Sequence, residues 1–218
     1  MKFFATPLIT LTFCLSVLGA TIQIRAPGGK TSKVAGTERC KSAYIVKTQL
    51  IQAGDITVNR TTYACPDDSL RQELQTPLPS SKKIPSHSFG LGKRNAAECR
   101  TPSPECQCGQ SFQCNCQNVT ALAPVPDDCS ALIDSTQVIA QAAGPTFTVE
   151  PDNFELISFK TCALEFTNLG CDTIEYCWDE LGSTGGVVNQ LCFEEGGGSA
   201  AACNANDDLW LVQSLRVQ

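Results

Sequence analysis

The sequence predicts a small α+β fold, a disulfide-rich two-layer sandwich in which two helices lie on one face of an antiparallel sheet, preceded by a pro-segment with a β-hairpin. Three observations lead to this prediction. After residue 95 the predicted elements follow in the order helix, strands, helix, strand, which is typical of helices segregated to one face of a sheet. The chain of 218 residues contains 14 cysteines. Its charge also changes sign at Lys93-Arg94.

The first 20 residues predict a secretory signal peptide. Lys2 supplies the basic start, an apolar stretch runs from Pro7 to Leu18, and Gly19-Ala20 offers small residues for cleavage. This pattern is typical of an exported protein and is too short for a membrane span. Since no later stretch approaches the roughly 18 apolar residues of a transmembrane helix, we expect a secreted, extracellular protein without a membrane span.

The dibasic pair Lys93-Arg94 separates two parts of opposite charge. Residues 1–94 contain 13 Lys/Arg and 5 Asp/Glu, whereas residues 95–218 contain 3 and 17. The pair lies in a Gly- and Ser-containing stretch that a protease can enter. The sequence therefore predicts cleavage after Arg94 by a kexin-type enzyme, giving a signal (1–20), a basic pro-segment (21–94) and an acidic mature domain (95–218). We expect the pro-segment to dock on this domain during folding and to leave after cleavage.

Within the pro-segment, two β-prone runs are joined by Gly54-Asp55 and bracketed by Cys40 and Cys65. The pattern predicts a hairpin closed by a disulfide over residues 40–65. The prolines, serines and lysines that follow, from residue 66 to 94, predict a linker.

The mature domain begins with a loop-rich cysteine cluster over residues 95–126. Pro126-Asp127-Asp128 is a helix-start signal, and apolar residues then recur at three- and four-residue steps until Gly144-Pro145. Alternating or β-rich runs predict strands over 146–150, 154–166, 173–177 and 209–217. A second helix is predicted between residues 178 and 192, although Gly182, Gly185 and Gly186 weaken it.

Because the chain is predicted to be exported to an oxidising compartment, we expect its cysteines to form disulfides rather than a metal site, and we expect no cofactor. Cys106-x-Cys108 and Cys114-x-Cys116 do not have the Cys-x2-Cys spacing of zinc ribbons, and neighbours at i and i+2 are expected to pair outward. Eleven cysteines follow Arg94, an odd number, so at least one thiol is left over, and the connectivity stays open. The candidates for disulfides are Cys40, Cys65, Cys99, Cys106, Cys108, Cys114, Cys116, Cys129, Cys162, Cys177, Cys192 and Cys203. Asn118 and Asn59 begin glycosylation sequons.

The order of cysteines and aromatic residues carries a resemblance. Cys114-Asn-Cys116, Asp127-Asp-Cys-Ser-Ala-Leu-Ile, Ile174-Glu-Tyr-Cys-Trp178 and Leu209-Trp-Leu-Val are the landmarks. Over residues 99–217 the chain resembles cysteine-rich small secreted proteins of mushroom-forming fungi. The order of elements is also similar to the α/β sandwich of fungal killer toxins and plant-pathogen effectors. The resemblance implies an extracellular role and brings no catalytic residues, and Cys171 is extra to its pattern.

The residue types limit the function. His87 is the one histidine and lies before Arg94, so the mature domain has no Ser-His-Asp, Cys-His or histidine-zinc chemistry. Three basic residues in this domain do not suffice for nucleic acid. We therefore predict a non-enzymatic protein that binds an extracellular protein or glycan, effector-like or toxin-like.

Two alternatives remain open. A carbohydrate-binding protein of the cell wall would use Trp178 and Trp210, which are more often core residues. A small hydrolase would use a pair of carboxylates. The acidic doublets begin at Asp127, Asp179, Glu194 and Asp207, but sequence neighbours do not face each other across a substrate.

Overall fold

The computed structural model describes residues 22–24, 40, 42–66, 82–83, 99, 104–119 and 122–217. The predicted signal peptide, most of the predicted linker and the pair Lys93-Arg94 lie outside these residues. Twelve strands are described: β1 (Ile22–Ile24), β2 (Tyr44–Ala53), β3 (Ile56–Ala64), β4 (Lys82–Lys83), β5 (Glu105–Cys106), β6 (Phe112–Gln117), β7 (Thr146–Val149), β8 (Asn153–Phe159), β9 (Cys162–Asn168), β10 (Ile174–Cys177), β11 (Ala200–Ala205) and β12 (Trp210–Arg216). The helices are α1 (Pro126–Ala143) and α2 (Trp178–Val188), and α2 continues as a π-helical segment (Asn189–Glu194).

The strands form two sheets. The large sheet has nine strands in the order β1-β2-β3-β8-β9-β12-β11-β6-β4, and all its pairs are antiparallel. The small sheet has the order β5-β10-β7, with β5 parallel and β7 antiparallel to β10. The α+β class predicted from the sequence is confirmed. The large sheet contains more strands than the sequence predicts.

The main core lies between one face of the large sheet and the two helices. Leu132 of α1 and Leu181 of α2 pack there with alternate sheet residues such as Leu164 and Val212. A second, smaller cluster occupies the opposite face and includes Phe154. Both helices therefore lie on the same face of the large sheet, as the order of elements predicts.

Helix α1 begins and ends at the predicted signals. Pro126 occupies the first turn and lacks the N–H that would have no intrahelical partner there. At the other end Gly144 adopts a φ of 99°, which side chains disfavour, and Pro145 follows. The stripe Cys129, Leu132 and Ile139 is fully buried, so the 3.6-residue periodicity identified the core-facing side.

Several regions differ from the predicted elements. The short strands β1, β4 and β5 were not predicted, and β4 lies in the segment predicted as a linker. Two larger differences concern longer strands of the large sheet. The run predicted as one strand over 154–166 is two strands, β8 and β9, which reverse at Lys160 with a φ of 46°. No Gly, Pro or Asn marks this turn, so the pattern contains no break there. The sequence also misses β6 and β11, which pair with each other. Strand β11 reads Ala-Ala-Ala-Cys-Asn-Ala, and none of these residues favours strands.

The predicted hairpin consists of β2 and β3, which turn at Gly54 with a φ of 61°. Both strands extend well beyond the β-prone runs seen in the sequence. The hairpin lies within the large sheet, because β3 pairs with β8. A disulfide joins Cys40 and Cys65 at its base.

Five further disulfides lie in the acidic part of the chain. They are Cys99–Cys106, Cys108–Cys177, Cys114–Cys203, Cys116–Cys192 and Cys129–Cys162. Cys108, Cys114 and Cys116 pair with distant strands or helices, as expected, but Cys106 pairs locally with Cys99. The thiol of Cys171 lies exposed at the surface. Disulfides thus connect β6 to β11 and α1 to β9, which ties the layers together.

Candidate functional site: an anchored apolar loop

The two tryptophans are core residues. Trp178 and Trp210 are both 0% exposed. Phe147 lies 4.2 Å from Trp178 between ring centroids, and Phe166 lies 5.8 Å from Trp210. Neither indole can offer a face to a sugar ring, so the tryptophan platform considered for the carbohydrate-binding alternative is wrong.

The aromatic core also contains a phenol with a perturbed pKa. Tyr176, fully buried beside these rings, has its pKa raised well above the ordinary value by loss of solvent and by the nearby Glu180 carboxylate. Its phenol therefore stays neutral at physiological pH.

In two of the acidic doublets, one carboxylate is exposed and the other is buried in a structural role. Asp179 is exposed, whereas Glu180 is buried and accepts the backbone N–H of Gly109 at 2.5 Å. Asp127 is likewise exposed beside the buried Asp128. The contacts described for these buried carboxylates hold a loop and a helix start.

In the other two doublets all four carboxylates are exposed. Glu194 accepts the Asn189 side chain at 3.1 Å, and Asp207 accepts the Leu209 N–H at 3.2 Å. The described contacts are thus those of a helix end and a turn, not of a pair facing a common cleft.

The Cys-x-Cys units form disulfides in this structure. Cys99, Cys106 and Cys108 bring their sulfurs within 4.8 Å of one another. The Cys99 and Cys108 sulfurs are 3.4 Å apart, but all three residues belong to disulfides. Oxidised sulfur lacks the thiolate charge that binds a soft metal, so this cluster is a structural contact.

The two sequon asparagines lie in different settings. Asn118 is exposed just after β6. Asn59 lies inside β3, between Leu50 of β2 and Ser158 of β8, with a half-buried side chain. A glycan on Asn118 would project into solvent, whereas one on Asn59 would have to leave the middle of a sheet.

Three exposed apolar side chains of the described residues lie in one loop, between β6 and α1. Val119, Leu122 and Val125 are 46%, 75% and 43% exposed. We call this segment the 118–125 loop; residues 120 and 121 lie outside the described part of the chain. The Ser199 hydroxyl binds both backbone groups of Val119. It accepts the Val119 N–H at 2.9 Å and donates to the Val119 carbonyl at 3.0 Å.

The end of the 118–125 loop is held at two more points. Arg216 donates to the carbonyl of Ala123 at 2.8 Å, and the Val125 N–H donates to the Thr161 hydroxyl at 2.9 Å. The same hydroxyl donates to Asp128 at 2.6 Å. These contacts connect the end of the loop to the end of β12, to the β8–β9 turn and to the first turn of α1, so the scaffold positions the backbone of Ala123 and Val125.

The electrostatics of this anchor are favourable. Hydrogen bonds from the Thr161 side chain and backbone, together with Lys160 at 3.5 Å, hold the pKa of Asp128 below its ordinary value. The carboxylate therefore stays charged at the N-terminus of α1, where negative charge is stabilised by the helix dipole.

Sequence reasoning did not identify the 118–125 loop as a site. In the sequence these residues belong to the loop-rich cluster of residues 95–126, and apolar residues in a short segment give no sign of their exposure. The dibasic pair Lys93-Arg94 lies outside the described residues and stays a prediction.

Comparisons with protein-family models, with curated proteins and with solved structures found no match to this chain. Among the described residues, no helix is both long and apolar enough to cross a membrane. Six disulfides fit an extracellular protein, since such bonds persist in oxidising compartments.

Proposed function

We propose that this is a secreted, non-enzymatic binding protein that acts outside the cell, in an effector-like or toxin-like role, by engaging a protein surface through the 118–125 loop. The observation that carries the proposal is the exposure of three apolar side chains on a backbone anchored to three different elements. Loops that a rigid scaffold positions commonly carry binding residues, and exposed aliphatic side chains on such a loop suit an apolar contact with a partner.

Anchoring supports binding because ordering a flexible loop opposes association. Here Ser199, Arg216 and Thr161 fix the backbone at Val119, Ala123 and Val125. At these residues the cost of ordering is met during folding, so contacts made by Leu122, the most exposed of the three apolar residues, translate more fully into affinity.

A protein target is favoured over a glycan. The two tryptophans considered for stacking on a sugar ring are buried, and the exposed aromatic residue Tyr44 lies on β2 and not in the 118–125 loop. The apolar side chains of the 118–125 loop are aliphatic and suit a hydrophobic pocket of a partner protein. The resemblance to fungal secreted proteins agrees with an extracellular target.

The test compares two charge insertions at exposed apolar positions. Fluorescently labelled protein is titrated onto cell surfaces before and after protease treatment, and onto a glycan array. We expect saturable binding that protease treatment removes and that Leu122→Asp weakens by about tenfold or more. Val46→Asp, on β2 at 55% exposure, is the matched control and should bind normally.

Glycan-array binding that is unaffected by Leu122→Asp would refute the proposal. So would product release from polysaccharides that depends on Asp or Glu residues, because that result would make the protein a hydrolase.

A further inference from the structure

The sheet order shows which part of the chain supplies each strand of the large sheet. The central strands β8, β9, β12, β11 and β6 lie within residues 112–216, whereas β1, β2, β3 and β4 all precede Lys93-Arg94. Strand β3 lies along β8 and β4 lies along β6. The N-terminal segment therefore covers both edges of a five-stranded sheet, and uncovered edges present unpaired N–H and C=O groups to other chains.

The contact between β3 and β8 is a full strand pairing. It runs over six residue pairs, from Asn59 opposite Ser158 to Ala64 opposite Asn153. The backbone pairing continues beyond the strands, because the Cys65 N–H donates to the carbonyl of Asp152 at 2.9 Å.

A buried charge on β8 is neutralised from the N-terminal segment. Glu155 is 2% exposed. One of its carboxylate oxygens accepts Arg60 Nε at 2.6 Å and the other accepts the Thr62 hydroxyl at 2.9 Å. The Arg60 guanidinium also lies 4.9 Å from the ring centroid of Trp178, the first residue of α2. If β3 departed, Glu155 would lose its counter-charge and both of these hydrogen-bond donors, so separation would break a buried ion pair.

The opposite face of the same pairing is apolar. Tyr63 of β3 stacks on Phe154 of β8 with ring centroids 4.7 Å apart and planes 9° from parallel. Cys40 and Cys65 pack in the same cluster, and Phe154 is 0% exposed. Departure of the hairpin would expose this ring to water.

No disulfide of the described residues joins the two parts. Cys40–Cys65 lies wholly in the N-terminal segment, and the other five lie within residues 99–203. After a cut at Arg94, strand pairing, the Arg60–Glu155 ion pair and the stacked rings would hold the parts together.

We propose that the N-terminal segment is a retained subunit, so that the processed protein is a non-covalent pair of chains. The edges of β8 and β6 are the interaction surface, and the hairpin of residues 40–65 is the main occupant. Departure after cleavage would be expected if only attraction between the net charges of the two parts held them together, because salt screens such attraction. The contacts seen here are buried, and screening by salt hardly reaches them. This inference is independent of the 118–125 loop.

The test uses the full-length protein with Lys93-Arg94 replaced by the recognition sequence of a site-specific protease. After complete cleavage, denaturing electrophoresis without reductant should show two chains. The same sample should elute as one 1:1 species in native size-exclusion chromatography and native mass spectrometry, at low salt and at about 1 M salt. Separation of the two chains under native conditions would overturn the proposal.

Three variants locate the interaction. Arg60→Glu should raise the dissociation constant of the cleaved pair by about a hundredfold or more, and combining it with Glu155→Arg should restore part of the affinity. Lys47→Glu makes the same charge change at an exposed position of β2 and should have no effect.

If Arg60→Glu prevents folding, Thr62→Val serves instead, since it removes one hydrogen bond to Glu155 and keeps the ion pair. We then expect a smaller, measurable loss of affinity. Equal affinities for the Arg60 or Thr62 variant and the Lys47 control would show that Glu155 does not hold the subunit.

Discussion

Adding one methyl group to α2 should have opposite effects at two nearby glycines. In Gly182→Ala the new Cβ would lie 2.3 Å from the Thr136 hydroxyl oxygen of α1 and 3.3 Å from the Ile133 carbonyl. In Gly186→Ala the Cβ would meet nothing within 4 Å. Gly182→Ala should therefore destabilise the protein, and Gly186→Ala should stabilise it.

The magnitude follows from the helix contact. Alanine is better than glycine by about 1 kcal/mol inside a helix, and this gain applies to both variants. At residue 182 the clash needs either a shift between α1 and α2 or rotation of Thr136, which is 1% exposed and donates to the Ile133 carbonyl at 2.8 Å. Overpacking and the strained hydrogen bond cost about 2–3 kcal/mol together. The net loss is about 1–2 kcal/mol, against a gain of up to about 1 kcal/mol at residue 186.

Urea unfolding with the disulfides intact measures both effects. We expect the midpoint to fall for Gly182→Ala and to rise for Gly186→Ala, with the slope m unchanged. In thermal unfolding the loss corresponds to about 2–8 °C. Gly185→Ala should lie between the two, because its Cβ would meet the movable Leu164 methyl carbons at 2.8 and 3.0 Å.

Equal stabilities of the Gly182 and Gly186 variants would refute this reasoning. They would mean that α1 and α2 separate at almost no cost, and that helix propensity alone decides the effect of a glycine in α2.

Two further outcomes follow from the described side chains. In protein secreted from a eukaryotic host, Asn118→Gln should remove the mass of one glycan, and Asn59→Gln should change the intact mass only by the added methylene group; a loss of glycan in the second variant would contradict the folded-state geometry. The lowered pKa of Asp128 means that its contribution to stability is present above the unfolded-state pKa of about 3.9 and is lost as pH falls through the lower folded-state pKa. Asp128→Asn should therefore reduce the urea midpoint at pH 7 and have a smaller effect near pH 2, and an equal reduction at both pH values would show that the Thr161 contacts do not depend on charge.

The sequence alone determined the elements whose signals are local. Helix α1 has its proline and carboxylates at one end, a glycine at the other and an apolar stripe between them. The turn at Gly54 and the strand β10 were also recognisable, because turn chemistry and alternation act over a few residues. The cysteine count and the export signal predicted disulfides in the same way.

Only the tertiary structure decided the features that depend on distant partners. Strand β11 is mostly alanine and exists because β6 and β12 pair with it on either side. Gly182 looked like a weak point of a helix, yet it lies against Thr136 of α1 with no room for a Cβ. The 118–125 loop became a candidate site once its exposure and anchors were seen.

The position of the hairpin is the clearest case. The charge distribution and the cysteine spacing indicated a separate, removable N-terminal segment, because both are properties of the linear sequence. Arg60 and Glu155 are separated by 95 residues and form an ion pair in the structure. Packing between residues far apart in the sequence decides which strands pair, which cysteines bond and how the charge on β8 is neutralised. No local sequence pattern contains that information.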